Sequence, residues 1–330
     1  MRPRLVFVHG VGGPRDAVGE LADWTRALAA GMHNAGHSAV ADGLLGGEFD
    51  CRFVHYADLF RPVQAQGSAV EVDDEQAAGI LLELLDEVLA GLSESLPNTP
   101  HAQHDAQVAR VLAHARAEAA PQPQEQGTMA AVRRALNAAT TVLSVRMFRG
   151  LGQWTAPKLM VRDLGQVARY LARRETDGSG LTLDARIRIR VARELDSPTT
   201  VLVAHSLGSI VAWETLHEGP VPVRLLVTLG SPLGMRTVVR PRLVPQPPCT
   251  PDRVGAWLNF FDHDDPVAVR PRLEDDFGPN GTQVRPVSRR VDSVGFWVHP
   301  ARLYLAQPGV AGPIAEALRT AAATTGEPSA

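Results

Sequence analysis

Short apolar runs that alternate with amphipathic helical segments constrain the fold of this chain most strongly. Residues 5–8 (Leu-Val-Phe-Val) form a continuous apolar run, which is typical of a strand buried on both faces. Residues 17–36 carry apolar side chains at helical spacing, and residues 51–56 predict a second strand. This order opens a βαβ unit. The pattern resumes near residue 199, with strands predicted over 200–204, 224–229, 255–261 and 283–289 and helices over 207–217 and 313–323.

A long helical segment interrupts that pattern. Almost no β-type sequence occurs over residues 61–190. Helices are predicted there over 77–96, 108–120, 129–148, 158–174 and 183–195. Residues 121–127 are rich in Pro and Gln and predict a linker. We therefore predict the α/β fold class, in which residues 1–60 and 196–330 form a mostly parallel central sheet flanked by helices. Residues 61–195 form a large helical insertion after the second predicted strand.

Composition and charge argue against several function classes. Hydrophobic residues make up 45% of the chain and charged residues 21%, which is near the globular average. The net charge is -3, whereas nucleic-acid binders normally carry a basic excess, so no nucleic-acid partner is expected. The two cysteines are too few for a disulfide framework and lack metal-site spacing. No apolar run reaches the roughly 18–20 residues of a membrane span, and no signal peptide is recognisable, so we expect a cytoplasmic protein without a membrane span.

The charge inside the helical insertion is divided. Residues 61–127 contain 3 basic and 11 acidic residues, whereas residues 128–190 contain 12 basic and 4 acidic ones. Two solvated faces that attract each other fit this division. An arginine-rich face that meets an anionic substrate or a membrane surface fits it as well.

The strongest motif of the chain surrounds Ser206. Residues 201–209 (Val-Leu-Val-Ala-His-Ser-Leu-Gly-Ser) set this serine between a predicted strand and a predicted helix. This is the context of the G-x-S-x-G nucleophile elbow, in which a tight turn lifts the serine hydroxyl clear of the backbone. Gly208 matches the second glycine of the motif, and Ala204 replaces the first. The alternative is an ordinary strand-to-helix turn that contains a serine.

Further motifs carry a resemblance to a known family. They are Phe7-Val8-His9-Gly10-Val11-Gly12, Ala204-His205-Ser206-Leu207-Gly208, Leu229-Gly230-Ser231-Pro232-Leu233-Gly234, Asp265-Pro266-Val267 and His299. With these motifs the chain resembles the α/β-hydrolase superfamily, on its serine esterase and lipase side, over roughly residues 4–60 and 196–325. That family inserts caps and lids where this chain has its helical segment, so the resemblance implies that residues 61–195 form a cap.

The resemblance implies a catalytic triad in the chain order nucleophile, acid, base. Ser206 is then the nucleophile, and it needs a base because a serine hydroxyl is a weak nucleophile on its own. His299 follows the acid candidates and takes the position of the base, with His263 as its main rival. Asp265 best resembles the family's acid in its Asp-x-Val context, and Asp262 is the second choice.

Several other residues near these motifs have simpler interpretations. His9, His205 and His217 are expected to have structural roles. The aspartates over residues 262–265 resemble a cation site only in composition, because no matching ligands are evident, and no metal is expected.

Two backbone N–H groups are needed to stabilise the negative charge of a tetrahedral intermediate. Leu207, the residue after the serine, supplies one of them. The resemblance implies that Val11 supplies the second, with Gly12 as the alternative. A phosphate-binding loop over residues 10–13 is a rival interpretation, but the Gly-Lys-Ser/Thr ending and the full G-x-G-x-x-G spacing are both missing. No cofactor is expected.

Apolar side chains over residues 141–154 offer a candidate acyl pocket. Among them, Phe148 and Trp154 are assigned to substrate binding, as part of a cap that covers Ser206. The alternative is a helix packed into the core of the insertion itself, where apolar helical residues are usually found.

The sequence therefore predicts a serine hydrolase that cleaves carboxylic esters with an apolar acyl part through an acyl-enzyme on Ser206. A small-molecule or lipid ester is the expected substrate. An acyltransferase, a thioesterase or an amidase with the same triad remains an alternative. A non-catalytic interaction protein that has kept a hydrolase fold is another, because fold alone does not establish activity. The sequence leaves the oligomeric state open.

Overall fold

A computed structural model describes residues 2–12, 16–60, 72, 74–94, 102–120, 127–144, 157–196, 198–293 and 298–326. Its strands are β1 (Arg4–Val8), β2 (Asp50–Val54), β3 (Thr199–His205), β4 (Val223–Leu229), β5 (Trp257–Asp262) and β6 (Pro286–Val291). Its helices are α1 (Ala17–Asn34), α2 (Ser38–Leu45), α3 (Glu75–Glu94), α4 (Ala102–Ala119), α5 (Thr128–Ser144), α6 (Pro157–Ala172), α7 (Leu183–Glu194), α8 (Leu207–Glu218), α9 (Ala301–Leu305) and α10 (Pro308–Gly326).

The six strands form one parallel sheet in the order β2-β1-β3-β4-β5-β6. The direction in which the chain moves across the sheet reverses beside β1, since β2 lies on one side of it and β3 on the other. In open α/β sheets, ligands bind in the crevice outside the carboxyl ends of the strands at such a switch point. Here the switch point lies between the ends of β1 and β3, at Val8 and His205.

Helices cover the sheet on both faces because its central strands are apolar on both sides. Leu5 and Phe7 of β1 pack into a core with α1, α2, α9 and α10. Val6 and Val8 of the same strand belong to a second core, which contains side chains from α3 to α8. The alternation follows from the two-residue period of a strand.

The predicted α/β class with a parallel sheet flanked by helices is confirmed, and each predicted strand starts within three residues of an observed one. Helix α2 was not predicted, because its eight residues give too short a window for helical spacing and include Gly43. Helix α10 begins at Pro308, five residues before the predicted start at Pro313. The first turn of a helix tolerates proline, so the sequence is compatible with a helix that starts at Pro308 or at Pro313.

Helices α3 to α7 follow β2 and precede β3 in the chain, as the sequence predicts. Helices α3, α4, α5 and α6 pack on one another, whereas α7 packs against α8 and β2. The division of the chain into a core over 1–60 and 196–330 and an insertion over 61–195 stays a prediction.

A buried ion-pair network joins α6 and α7 to α8. Glu214 is 1% exposed and accepts hydrogen bonds from the Tyr170 hydroxyl at 2.6 Å and the Val244 N–H at 3.1 Å. Arg173 and Arg188 also donate to this carboxylate, at 2.5 and 3.3 Å. Two arginines of the basic segment 128–190, Arg173 and Arg188, therefore pair inside the fold with an acidic residue outside 61–127.

Replacing Glu214 by leucine should lower the free energy of unfolding by about 3–5 kcal/mol, because the partly buried Arg173 and Arg188 then share the single buried carboxylate of Asp184. Glu218→Leu is the matched control on the same helix. Its carboxylate also pairs with Arg188 but is 58% exposed, so its removal should cost about 1 kcal/mol or less. Urea denaturation of both variants measures the difference. Equal small losses would show that the network contributes no more than a surface pair.

Candidate active site

Ser206 occupies the sharp turn between β3 and α8. Its backbone has φ 53° and ψ -130°, in a region that non-glycine residues rarely adopt. The turn is held by the Ser206 N–H, which donates to the Leu229 carbonyl at the end of β4 (3.0 Å). Backbone strain of this kind persists only where the surrounding structure enforces it, and it is concentrated at functional sites. The strand–turn–helix context expected of a nucleophile elbow is therefore present.

Glycines allow the end of β1 to approach this turn. A Cβ atom on Gly10 would lie 2.6 Å from the Ser206 Cβ and 3.1 Å from its Oγ. A Cβ atom on Gly208 would collide with the His9 carbonyl. The loop after β1 and the start of α8 thus lie in direct contact, and larger side chains at these two positions would separate them.

Asp265 and His299 form a buried pair. The His299 Nδ1 lies 2.8 and 3.0 Å from the two Asp265 carboxylate oxygens. The Tyr304 hydroxyl also donates to Asp265, at 2.7 Å, and the Val267 N–H does so at 2.9 Å. Burial alone raises the pKa of Asp265, but His299 and these hydrogen bonds outweigh it and hold that pKa below its ordinary value. An ionised carboxylate only accepts, so the proton of His299 sits on Nδ1.

Asp262 has a different role. It ends β5, and its carboxylate accepts the N–H groups of Asp264 (3.0 Å) and Ser293 (2.6 Å). The Asp262 N–H donates to the Tyr304 hydroxyl at 3.0 Å. Its carboxylate therefore shapes two loops, whereas the acid beside His299 is Asp265. His263, the rival base, is exposed on the loop between them.

Two contacts link the Asp265–His299 pair to the serine turn. The His205 Nε2 donates to the His299 carbonyl at 2.7 Å, and the two rings lie 4.6 Å apart. Gly230 follows the Leu229 carbonyl that binds the serine turn. A Cβ atom there would lie 2.6 Å from the Asp265 Oδ2 and 3.1 Å from the His299 Nδ1. The structure thus brings all three predicted triad residues to the carboxyl edge of the sheet.

The predicted oxyanion donors, Leu207 and Val11, follow the ends of the neighbouring strands β3 and β1. Leu207 is the first residue of α8, so its N–H has no acceptor within its own helix. The N–H of Val11 belongs to the peptide group whose carbonyl is Gly10 O, and the His9 Nδ1 binds that carbonyl at 2.5 Å. The Gly12 N–H donates to the Gln166 side chain at 2.9 Å. The Gly12 N–H, the alternative donor, is therefore already paired within the fold.

His9 holds this loop through several contacts. The Tyr56 N–H donates to the His9 Nε2 at 3.3 Å, which assigns the ring proton to Nδ1. The Tyr56 ring stacks on the His9 ring with centroids 4.1 Å apart, and its hydroxyl donates to the His9 carbonyl. The structural roles predicted for His9 and His205 thus consist in orienting the residues around Ser206. His217 packs against Trp213, farther along α8.

Sequence reasoning missed three side chains at this site. They are Tyr304, which binds Asp265; Gln166, which binds Gly12; and Ser209, whose hydroxyl donates to the Ser206 carbonyl at 2.6 Å. Ser209 stands three residues after the motif serine, within the motif over residues 201–209, and could have been found. Tyr304 and Gln166 lie on helices whose positions relative to the sheet no sequence pattern reveals.

The predicted substrate-binding residues Phe148 and Trp154 lie outside the described residues. A cavity of about 720 Å³ lies among α3, α4 and α5, and its described lining includes none of the candidate site residues. Ser206 itself is 3% exposed.

Over the described ranges, no group of His, Cys, Asp and Glu side chains is arranged to hold a metal ion. Cys51 and Cys249 are both free thiols. Among the helices that are described, none is both long and apolar enough to cross a bilayer.

Comparison with known proteins gives no assignment: neither a protein-family model, nor a curated protein, nor a solved structure matches the chain. The geometry of this site is therefore what bears on function.

Proposed function

We propose that the chain is a serine hydrolase of the α/β-hydrolase type, which cleaves carboxylic esters through an acyl-enzyme on Ser206. The observation that carries this proposal is a buried Asp265–His299 pair that His205, the neighbour of a serine with strained backbone geometry, contacts directly. A buried carboxylate on one ring nitrogen of a histidine orients the ring and stabilises its charged form. A histidine with only a structural role would not explain why the nearby serine has a strained backbone.

The proposed reaction begins with attack by the Ser206 Oγ on the acyl carbonyl. The His299 Nε2 takes the serine proton, and Asp265 stabilises the imidazolium that forms. The N–H groups of Leu207 and Val11 stabilise the oxyanion of the tetrahedral intermediate. When that intermediate collapses, the carbon–oxygen bond to the alcohol breaks and His299 returns the proton to the leaving alkoxide. His299 then takes a proton from water, whose oxygen attacks the acyl-enzyme. The bond from the acyl carbon to the Ser206 Oγ breaks, and His299 returns its proton to that oxygen as the acid leaves.

Two features of the fold support the family assignment. Serine, acid and base follow β3, β5 and β6 in that order, which is the order nucleophile, acid, base of the family. Helices α3 to α6 lie in the chain between β2 and β3, and we propose that they form a cap over the site. The small exposure of Ser206 fits a site that excludes bulk water and thereby strengthens electrostatic interactions.

The proposed substrate is a small-molecule or lipid ester with an apolar acyl part, and no cofactor takes part. A panel of p-nitrophenyl esters from acetate to palmitate tests this, with a matched thioester and anilide. Release of p-nitrophenol that depends on Ser206 is the expected result. Preference for the thioester or anilide would change the substrate class and leave the triad. A product ester in the presence of added alcohol would identify acyl transfer, and no turnover on any substrate would favour an interaction protein.

Tyr304→Phe should lower kcat by about 10- to 100-fold, because it removes a hydrogen bond of roughly 1.5–3 kcal/mol to a charged group. Asp265 then keeps His299 and the Val267 N–H as partners, so part of its orienting effect remains. The measurement is steady-state hydrolysis of p-nitrophenyl butyrate.

Tyr170→Phe is the matched control, since its hydroxyl is also buried against a carboxylate, that of Glu214. It should lower stability and leave kcat per folded molecule within about 3-fold. If both tyrosine variants change kcat equally, Tyr304 has no particular role in the site.

A further inference from the structure

Helix α6 reaches from the insertion to the loop that follows β1. The Gly12 N–H donates to the Gln166 Oε1 at 2.9 Å, and the Gln166 Nε2 donates to the Gly12 carbonyl at 2.9 Å. One side-chain amide thus satisfies both backbone groups of one residue, across 154 positions of sequence. Gln166 is 7% exposed, so water is poorly placed to replace it.

This pairing needs the chemistry of a carboxamide. Gly12 has φ 143°, a conformation that side chains other than hydrogen rarely allow, and it does not belong to a strand or helix. Its N–H and carbonyl must therefore find partners elsewhere, because unpaired buried backbone groups are costly. Only asparagine and glutamine side chains offer a donor and an acceptor together in one planar amide.

The hydrogen bonds between Gln166 and Gly12 lie next to the Val11 N–H, the proposed oxyanion donor. The peptide group between Val11 and Gly12 contains the Gly12 N–H that Gln166 binds. The peptide group before it carries the Val11 N–H, and the His9 Nδ1 holds that group from its carbonyl side. His9 and Gln166 therefore restrain the two successive peptide groups that meet at Val11.

We propose that Gln166 is a positioning residue that aims the Val11 N–H at the developing oxyanion, so that the helical insertion completes the site instead of only covering it. This inference rests on the proposed serine hydrolase function. Oxyanion donors act because they are already oriented before reaction, and an unrestrained loop would lose part of that benefit.

Gln166→Met tests the inference, since methionine keeps the length of the side chain and removes both hydrogen-bonding atoms. The probes are a fluorophosphonate, which counts reactive serines, and p-nitrophenyl butyrate, which gives kcat per reactive serine. We expect kcat per reactive serine to fall by about 10- to 100-fold, part of the loss that follows removal of a whole oxyanion donor. KM should stay within about 3-fold, because the donor acts on the transition state more than on bound ester.

Gln76→Met is the matched control, because this exposed glutamine of α3 bonds only to Arg174 among the described side chains. It should leave kcat and KM unchanged. If Gln166→Met folds poorly, Gln166→Glu serves instead, since it keeps an acceptor for the Gly12 N–H and removes the donor to the Gly12 carbonyl. The same fall in kcat per reactive serine is expected.

Three outcomes would overturn the inference, and they are distinguishable. A lower melting temperature and fewer reactive serines with unchanged kcat per reactive serine would leave Gln166 a purely structural role. Full kcat in both variants at position 166 would remove any role in positioning. No fluorophosphonate labelling and no turnover by the wild-type chain would remove the proposed function, and this inference with it.

Discussion

Ser206→Ala is expected to lower kcat for ester hydrolysis by on the order of 10⁶, the loss typical of removing a triad nucleophile. The variant should fold normally. The substitution removes one hydroxyl and keeps the Cβ atom that packs against Gly10. The backbone bond from position 206 to the Leu229 carbonyl does not involve the side chain and remains available. The measurement is steady-state kinetics on p-nitrophenyl butyrate, with thermal unfolding to verify the fold.

Ser209→Ala is the matched control for this prediction. Its buried hydroxyl donates to the Ser206 carbonyl and lies 2.7 Å from the Ser231 hydroxyl, so its loss disturbs the same turn without removing the nucleophile. We expect a loss in kcat smaller than about 100-fold, as for one buried hydrogen bond. Near-normal activity of pure Ser206→Ala would contradict the assignment of the nucleophile. Comparable losses in both variants would attribute the effect to the turn.

Asp265→Asn is expected to lower kcat by roughly 10⁴, the loss seen when a triad acid is neutralised. The carboxylate of Asp265 holds the proton of His299 on Nδ1 and leaves Nε2 as the base. An amide in its place removes the charge that stabilises the imidazolium and allows the other tautomer. The pH–rate profile of the residual activity, together with kcat, measures this effect.

Asp262→Asn provides the comparison, because the same change of charge occurs three residues away. Its carboxylate accepts two backbone N–H groups, those of Asp264 and Ser293, whereas the His299 Nδ1 is bound by Asp265. It should affect stability more than kcat, with a loss in kcat below about 100-fold. If Asp262→Asn proves the more damaging variant, the acid of the proposed triad is Asp262, and Ser206 and His299 keep their roles.

The sheet could be predicted from sequence because its strands carry a strong local pattern. β1 and β3 are short, mostly apolar runs. β1 ends at Val8 and is followed by His9 and Gly10, whereas β3 ends at His205 and is followed by Ser206 at the turn. Burial on both faces makes such runs nearly continuous, so they differ clearly from the amphipathic helices between them. The candidate serine follows from the same pattern, since the turn at the end of β3 has a sequence signature.

Contacts that cross between elements could not be predicted in the same way. Gln166 lies on a helix, with nothing in its neighbours to indicate that it reaches Gly12. No motif of the sequence indicates that the hydroxyl of Tyr304 binds Asp265. The choice between Asp262 and Asp265 likewise needs the structure, because both lie close to the end of β5 and only their hydrogen bonds distinguish them.

The most direct test of the account is the site at which a fluorophosphonate attaches. The wild-type chain is treated with the probe, digested and analysed by mass spectrometry, beside Ser206→Ala and Ser209→Ala. We expect one adduct per chain, on the peptide that contains Ser206, lost in Ser206→Ala and retained in Ser209→Ala. An adduct on another residue, or no adduct on a chain that unfolds cooperatively, would contradict the claim that Ser206 is an activated nucleophile.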